Sequence, residues 1–266
     1  MKKGLKLQLI TAICFSLALS PFFVSAVTTS KDFSNRQKAF YKVMELSGAE
    51  LQNLNKTLND LKIDNNSEEM NQYAQEKTEF LKTIFQFEEY NQEIKDKISE
   101  AKNITSLKSL AIEFKNWREN TYNPQAQIIV NFSLLLQQKT ILDTANDRLN
   151  KIQQDVKKLE NLGIDQINKL NSLLDKSQKD LGEANQSFEK AKTILDNYFN
   201  SATSTIATTT EEIATSTENA TSTVSIEINK EQIDISQLQM LLENGFSKIK
   251  SVYETFIEMS AVVKKL

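Results

Sequence analysis

The sequence predicts an all-α protein: an elongated antiparallel helical bundle with a long coiled-coil hairpin, followed by a disordered Thr/Ser linker and a C-terminal amphipathic helix. Three observations carry this. Apolar and small residues recur at strict 3,4 spacing over long stretches, above all at Ile167, Leu170, Leu174, Ser177, Leu181, Ala184, Phe188, Ala191, Leu195 and Tyr198, the pattern of a seam facing a partner helix. The 266 residues include only 5 Gly and 2 Pro, so tight turns are few and long helices are favoured over many short strands. A content of 39% hydrophobic and 25% charged residues suits a chain that buries a core.

The elements follow in order. Residues 1–26 open with Met1, Lys2 and Lys3, continue with an apolar run from Leu7 to Leu19, and end in the small residues Val24, Ser25 and Ala26, which is the layout of a cleaved secretory signal peptide. Leu7 to Val24 could also just span a bilayer as an uncleaved anchor, though Pro21 near its end favours cleavage. Cys14 follows bulky Ile13, whereas a bacterial lipidation motif places small residues before its cysteine. Cleavage after Ala26 leaves a mature chain with no cysteine, hence no disulfide.

The bundle domain is predicted over 27–200. A first helix from Asp32 to Ile63 carries Phe40, Met44, Ser47, Leu51, Leu54, Leu58 and Leu61 in one narrow seam. The acidic turn at 64–69 follows, with Asn66 expected as cap and Glu69 in the capping-box position. Asp64, Asn66 and Glu68 alternate as in a calcium loop, but the glycine such a loop needs at its sixth position is missing and Gln75 stands where a bidentate Glu belongs. A second helix, Ser67 to about Lys102, carries Tyr73, Phe80, Ile84, Phe87, Ile94 and Ile98 on one stripe, widened by Leu81, Phe85 and Tyr90 into a broad aromatic face expected to meet the apolar start of the central helix. After a break at Asn103 and Thr105, a short helix over 106–121 turns Leu107, Leu110, Phe114 and Trp117 inward. Trp117 beside Arg118 can be read as a stacking or cation–π site, against the plainer reading of a space-filling Trp at a bundle end.

Asn123 as cap and Pro124 at the first helical position mark the start of the central helix. Its first turns, with Ile128, Ile129, Val130, Phe132, Leu134, Leu135 and Leu136, are apolar around nearly the whole circumference and need neighbours on all sides. Further on the stripe narrows to Leu142, Ala145, Leu149, Ile152, Val156 and Leu159, which predicts a two-helix hairpin projecting from a bundle around 126–142. Gly163 and Asp165 supply its turn, and a turn that short makes the helices antiparallel.

From 201 to 224 the chain is mostly Thr, Ser and Ala, and the tetrapeptide ATST occurs three times, so a disordered linker is expected. Asn219-Ala220-Thr221 fits a glycosylation sequon, as do triplets on the helices, and these are read as chance. Residues 225–266 contain a helix from Ile235, with Asp234 and Gln237 as a capping box. Its stripe, Leu238, Leu242, Ile249, Val252, Phe256 and Val263, is widened by Leu241, Phe246, Tyr253, Ile257 and Met259, and it is broken too often by Lys248, Lys250, Glu254 and Glu258 to cross a membrane. Leu238, Leu242, Ile249 and Phe256 form the candidate partner-helix face, expected to lie in a helical groove either of the same chain or of another molecule. A flexible tract of this length has a root-mean-square reach of about 25 to 30 Å, enough for either.

Composition narrows function by exclusion. The chain has no His, the usual general base, proton shuttle and metal ligand. Gly48, Gly163, Gly182 and Gly245 are isolated, so no phosphate-cradling loop exists. Paired acids such as Glu68-Glu69 and Glu88-Glu89 are adjacent in sequence, diverge on a helix and read as solvated surface rather than as a carboxylate hydrolase. The net charge of −3 falls by three, to −6, when Lys2, Lys3 and Lys6 leave with the leader, and no basic cluster marks a nucleic-acid surface. No cofactor or metal is expected.

The expectation is an exported, non-enzymatic structural or protein-interaction coiled-coil protein, a scaffold or spacer of the cell envelope or exterior, with a protein partner or self-association through its helices. Membrane attachment is expected only through an uncleaved leader. The alternative is a holdase-like extracytoplasmic chaperone, a class whose known members with long hairpins carry a small strand platform and basic arms; neither is evident here.

Overall fold

A computed structural model describes residues 30–63, 67–162, 167–212 and 234–265. The leader at 1–26, the calcium-like positions Asp64 and Asn66, and the turn residues Gly163 and Asp165 lie outside them, as do the sequon at 219–221 and the rest of 213–233. Every element among the described residues is helical: α1 (Ser30–Asp60), α2 (Glu68–Glu100), α3 (Ile104–Trp117), a π-turn (Arg118–Tyr122), α4 (Asn123–Asn161), α5 (Ile167–Glu212) and α6 (Ile235–Val263). The all-α bundle read from the sequence is the observed fold. None of these helices is long and apolar enough to cross a membrane. They sort into two compact units, the first holding α1, α2, α3 and the π-turn, the second holding α4 from Gln127 onward with α5 and α6.

In the first unit α1 and α2 are antiparallel, and their 3,4 seams meet as the spacing demands. Met44, Ser47, Leu51, Leu54 and Leu58 on α1 are buried, as are Tyr73, Phe80, Ile84, Phe87, Asn91, Ile94 and Ile98 on α2. Side-chain donors set the register along the pair. Gln37 donates to the Ile98 carbonyl (2.8 Å), Asn91 to that of Met44 (3.2 Å) and Lys77 to that of Asn59 (3.4 Å). Ser67, one residue after the expected Asn66, caps α2, its hydroxyl accepting from the Met70 N–H at 3.2 Å. Asn103 caps α3 in the same way through the Ser106 N–H (2.9 Å), and α3 then closes one end of the hairpin with Leu107 and Phe114 packed on Met44, Ile94 and Ile98.

Helix α4 starts at Asn123 as expected, but Asn123 is not a cap and no break precedes it. Asn123 has helical dihedrals and its N–H bonds to the carbonyl of Arg118, five residues back, so α3 runs into α4 through one π-turn. The reason is Pro124. Inside a helix its ring meets the carbonyl four residues back and its nitrogen donates nothing, and a widened turn just before it relieves the clash.

In the second unit the start of α4 is enclosed as its composition requires, with Ile128, Ile129, Phe132, Leu135 and Leu136 buried and Phe132 edge-on to Phe199 of α5 (5.9 Å). The α5 seam from Leu170 to Tyr198 is buried at every position named in the sequence pattern. The narrow end is not a two-helix projection, however. Helix α6 lies along it, and Met259 and Val262 pack with Val156 of α4 and Leu170 and Leu173 of α5. Helix α5 also continues to Glu212, so the first twelve residues of the tract expected as a linker are helical. Extending a formed helix costs far less than starting one, and this segment contains neither Gly nor Pro.

Gly182 sits mid-helix in α5, exposed, and an added Cβ would have open space around it. Gly182→Ala is therefore expected to stabilise the protein by about 0.5–1 kcal/mol, read as a higher urea midpoint at unchanged slope.

Candidate functional site

The candidate partner-helix face is occupied by the chain's own second unit. Leu238, Leu242 and Ile249 are 0%, 1% and 4% exposed, and Phe256 is half-buried against the cluster of Val156, Leu170, Leu173, Met259 and Val262. The stripe differs from the expected one toward the end of α6, where Thr255 and Val262 are buried while Ile257 and Val263 are exposed. The cause is that α6 packs between two helices. Its flank toward α5 needs side chains of its own, and Lys248, Ser251, Thr255 and Val262 supply them.

Those residues build the best-organised polar cluster of the second unit. On α5, Leu173, Asp180 and Ser187 recur at heptad spacing and are buried beside the main seam, forming a second row. Ser251 donates to Asp180 at 2.7 Å, and Lys176 donates to Asp180 (3.0 Å), to the Ser251 hydroxyl (2.8 Å) and to the Thr255 hydroxyl (3.1 Å). Lys248 lies 3.6 Å from Asp180 and is ion-paired with Glu183. One step along, Asn244 donates to Ser187 at 2.8 Å, and at the other end Lys169 pairs with Glu258 at 3.4 Å. Helices α5 and α6 are thus antiparallel and held in one register by polar bonds. Arg148 of α4 adds a cation–π contact to Tyr253, 5.2 Å from the ring centroid.

Sequence reasoning passed over Asp180 and Ser187 because a periodic search for apolar residues skips polar ones. Their heptad spacing from Leu173 was the available signal. Chemically the cluster is a clamp. Burial alone would raise the Asp180 pKa, but hydrogen bonds from Ser251 and Lys176 and the charges of Lys176 and Lys248 outweigh it and hold the carboxyl below its usual range. So weak a base is poorly placed to activate Ser251.

The sign of that shift sets a pH dependence. Asp180 contributes stability that is present above its unfolded pKa of about 3.9 and is lost as the pH falls toward its lower folded value. Asp180→Asn is expected to be less stable than the wild type at neutral pH and to converge with it in acid, as read by urea unfolding from pH 7 to pH 2.

Trp117 and Arg118 do not form the pair read from the sequence. The Arg118 guanidinium sits over Tyr122, 4.7 Å from the ring centroid, and bonds Glu50 of α1 at 2.9 Å, where the Tyr122 hydroxyl also donates (3.3 Å). The π-turn brings Arg118 and Tyr122 to the same carboxylate. Burial first, and then the Glu50 charge, push the Tyr122 pKa up, so the phenol stays protonated. Trp117 is half-buried among Phe87, Tyr90, Phe114 and Tyr122, with ring centroids 4.5 to 5.6 Å away. Its rings fill space. Beside it, burial and the nearby Glu113 push Tyr90 up to about 12.

A shallow cleft of about 400 Å³ between α2 and α3 is lined by Lys97, Glu100, Ala101, Ser106, Ser109 and Leu110. Among the described residues no three His, Cys, Asp or Glu side chains gather to hold a metal ion. No protein-family model, curated protein or solved structure matches the chain.

Proposed function

We propose that the protein is an exported, non-enzymatic structural or protein-interaction coiled-coil protein, acting as a scaffold or spacer in the cell envelope or outside the cell. The observation that carries this reading is the use made of its polar side chains. Lys176, Asp180, Ser251 and Thr255, which as a cluster of base, acid and hydroxyls would be the material for chemistry, instead bond α6 to α5. The same holds at Glu50, Arg118 and Tyr122 in the first unit. Long helices joined by narrow seams leave polar and charged faces along their length, the layout of a solvent-exposed spacer. The leader pattern of residues 1–26 supports export.

Two measurements on the native host test this together. Cell fractionation is expected to find the mature protein outside the cytoplasm, beginning after Ala26. In vivo cross-linking is expected to give a discrete species, with a second protein or a second copy, that forms in unstressed cells. Cytoplasmic retention would overturn the export reading. Suppression of unfolded-client aggregation by the purified chain, with cross-links spread over many clients, would overturn the scaffold reading in favour of a holdase.

A further inference from the structure

Two side chains in the middle of the second unit are buried without a hydrogen-bond partner in the protein. Asn131 and Gln138 lie a heptad apart on α4, 1% and 0% exposed, and both atoms of each terminal amide are unpartnered. Removing an amide from water without replacing its bonds is costly, so an arrangement that keeps one invites explanation. Opposite Gln138, α6 presents Gly245. A Cβ built there would overlap the Gln138 amide nitrogen and come within 2.9 Å of its Cδ. The amide fills the space that a side chain at 245 would take, so a larger residue there requires Gln138 to find another rotamer within a fully enclosed layer.

Gly245 lies in the interior of α6, where glycine is less favourable than alanine and no turn calls for it. Two locally unfavourable choices therefore face each other. A shift of α6 by one heptad would bring Leu238 or Val252 against Gln138 in place of Gly245, so this layer adds to the register that the Ser251–Asp180 and Asn244–Ser187 bonds set. At the layer of Gln138 the incoming side chain would have to displace a buried amide.

We infer that Gln138 and Gly245 form a register lock, which makes the groove between α4 and α5 selective for a helix that has no side chain at that layer. The groove takes α6 in one register and refuses it, or a different apolar helix, in others. This is a helical-bundle relative of the buried polar residue that fixes register in coiled coils at a cost in stability. It stands independently of the proposed function, because it concerns which helix the groove admits and not what the assembled protein does.

The test is hydrogen exchange on the full chain. Gly245→Ala is expected to lower protection across α6 by about ten- to a hundredfold, as an overpacked layer does. Adding Gln138→Ala in the same chain is expected to restore protection to within about threefold of wild type, because the small side chain makes room for the new methyl. Gln138→Ala alone is expected to leave α6 protected, and Gly182→Ala, in open space on α5, serves as the helix-glycine control. If the single Gly245→Ala chain fails to fold, the double variant decides: folding with α6 protected supports the lock. Wild-type protection in Gly245→Ala would overturn the lock, and so would a double variant no better protected than Gly245→Ala, or unfolded.

Discussion

A chain ending at Glu212, and so lacking α6, is expected to lose the cooperative folding of the second unit. Truncation uncovers the row of Leu173, Asp180 and Ser187 on α5 and removes six buried apolar side chains, Leu238, Leu242, Ile249, Val252, Met259 and Val262. Each fully buried side chain of this kind is worth about 1.5 to 3 kcal/mol. Their loss exposes the apolar row of α5 and the part of α4 that they cover, including Val156, Leu170 and Leu173, so the truncated unit lacks a large part of its core. Hydrogen exchange over 140–200 is the measurement, with light scattering to detect self-association through the uncovered groove. A monomeric truncated chain whose α4 and α5 amides remain as protected as before would show that α6 is a passenger.

Replacing Leu181 by Asp is expected to destabilise the second unit by roughly 3 to 5 kcal/mol. Leu181 is 2% exposed in the main α5 seam, so the new carboxylate is placed in an apolar layer. It also stands next to Asp180, whose two lysines, Lys176 and Lys248, already serve that carboxylate. Protonation of the new acid lowers the penalty without removing it, because the neutral carboxyl still needs hydrogen-bond partners. Thermal unfolding followed by circular dichroism checks the magnitude, with Gln186→Asp on the exposed face as a control expected within about 0.5 kcal/mol of wild type. An unchanged melting temperature for the Leu181 variant would mean that the seam faces water.

Much of the fold was legible in the residue order because helix existence and helix facing are local properties. The seam from Leu170 to Tyr198 needed only 3,4 spacing to be found, and each of its positions is buried. The capping of α6 by Asp234 was equally local, since a short acceptor three residues before a free N–H suffices. Local signals also misled. Asn123-Pro124 has the form of a helix start, but α3 was already helical up to Trp117, and a π-turn accommodated the proline without ending the helix. Asn66 and Ser67 are both good caps, and the pattern could not rank them. The Ser/Thr tract has the composition of a linker, yet α5 runs into it as far as Glu212.

Residue order alone settled that the chain is helical, which residues face inward along each seam, and that α6 carries an apolar face in need of cover. Those properties follow from the 3.6-residue period and from side chains a few positions apart. The tertiary structure decided what covers that face and in which register. Asp180 meets Ser251, Ser187 meets Asn244, and Gln138 fills the space that Gly245 leaves, across separations of 57 to 107 residues. Such matches depend on the shape and hydrogen-bonding of two distant surfaces at once. Taken singly, each partner is an unremarkable polar residue or glycine on a helix, and its role exists only where the other surface meets it.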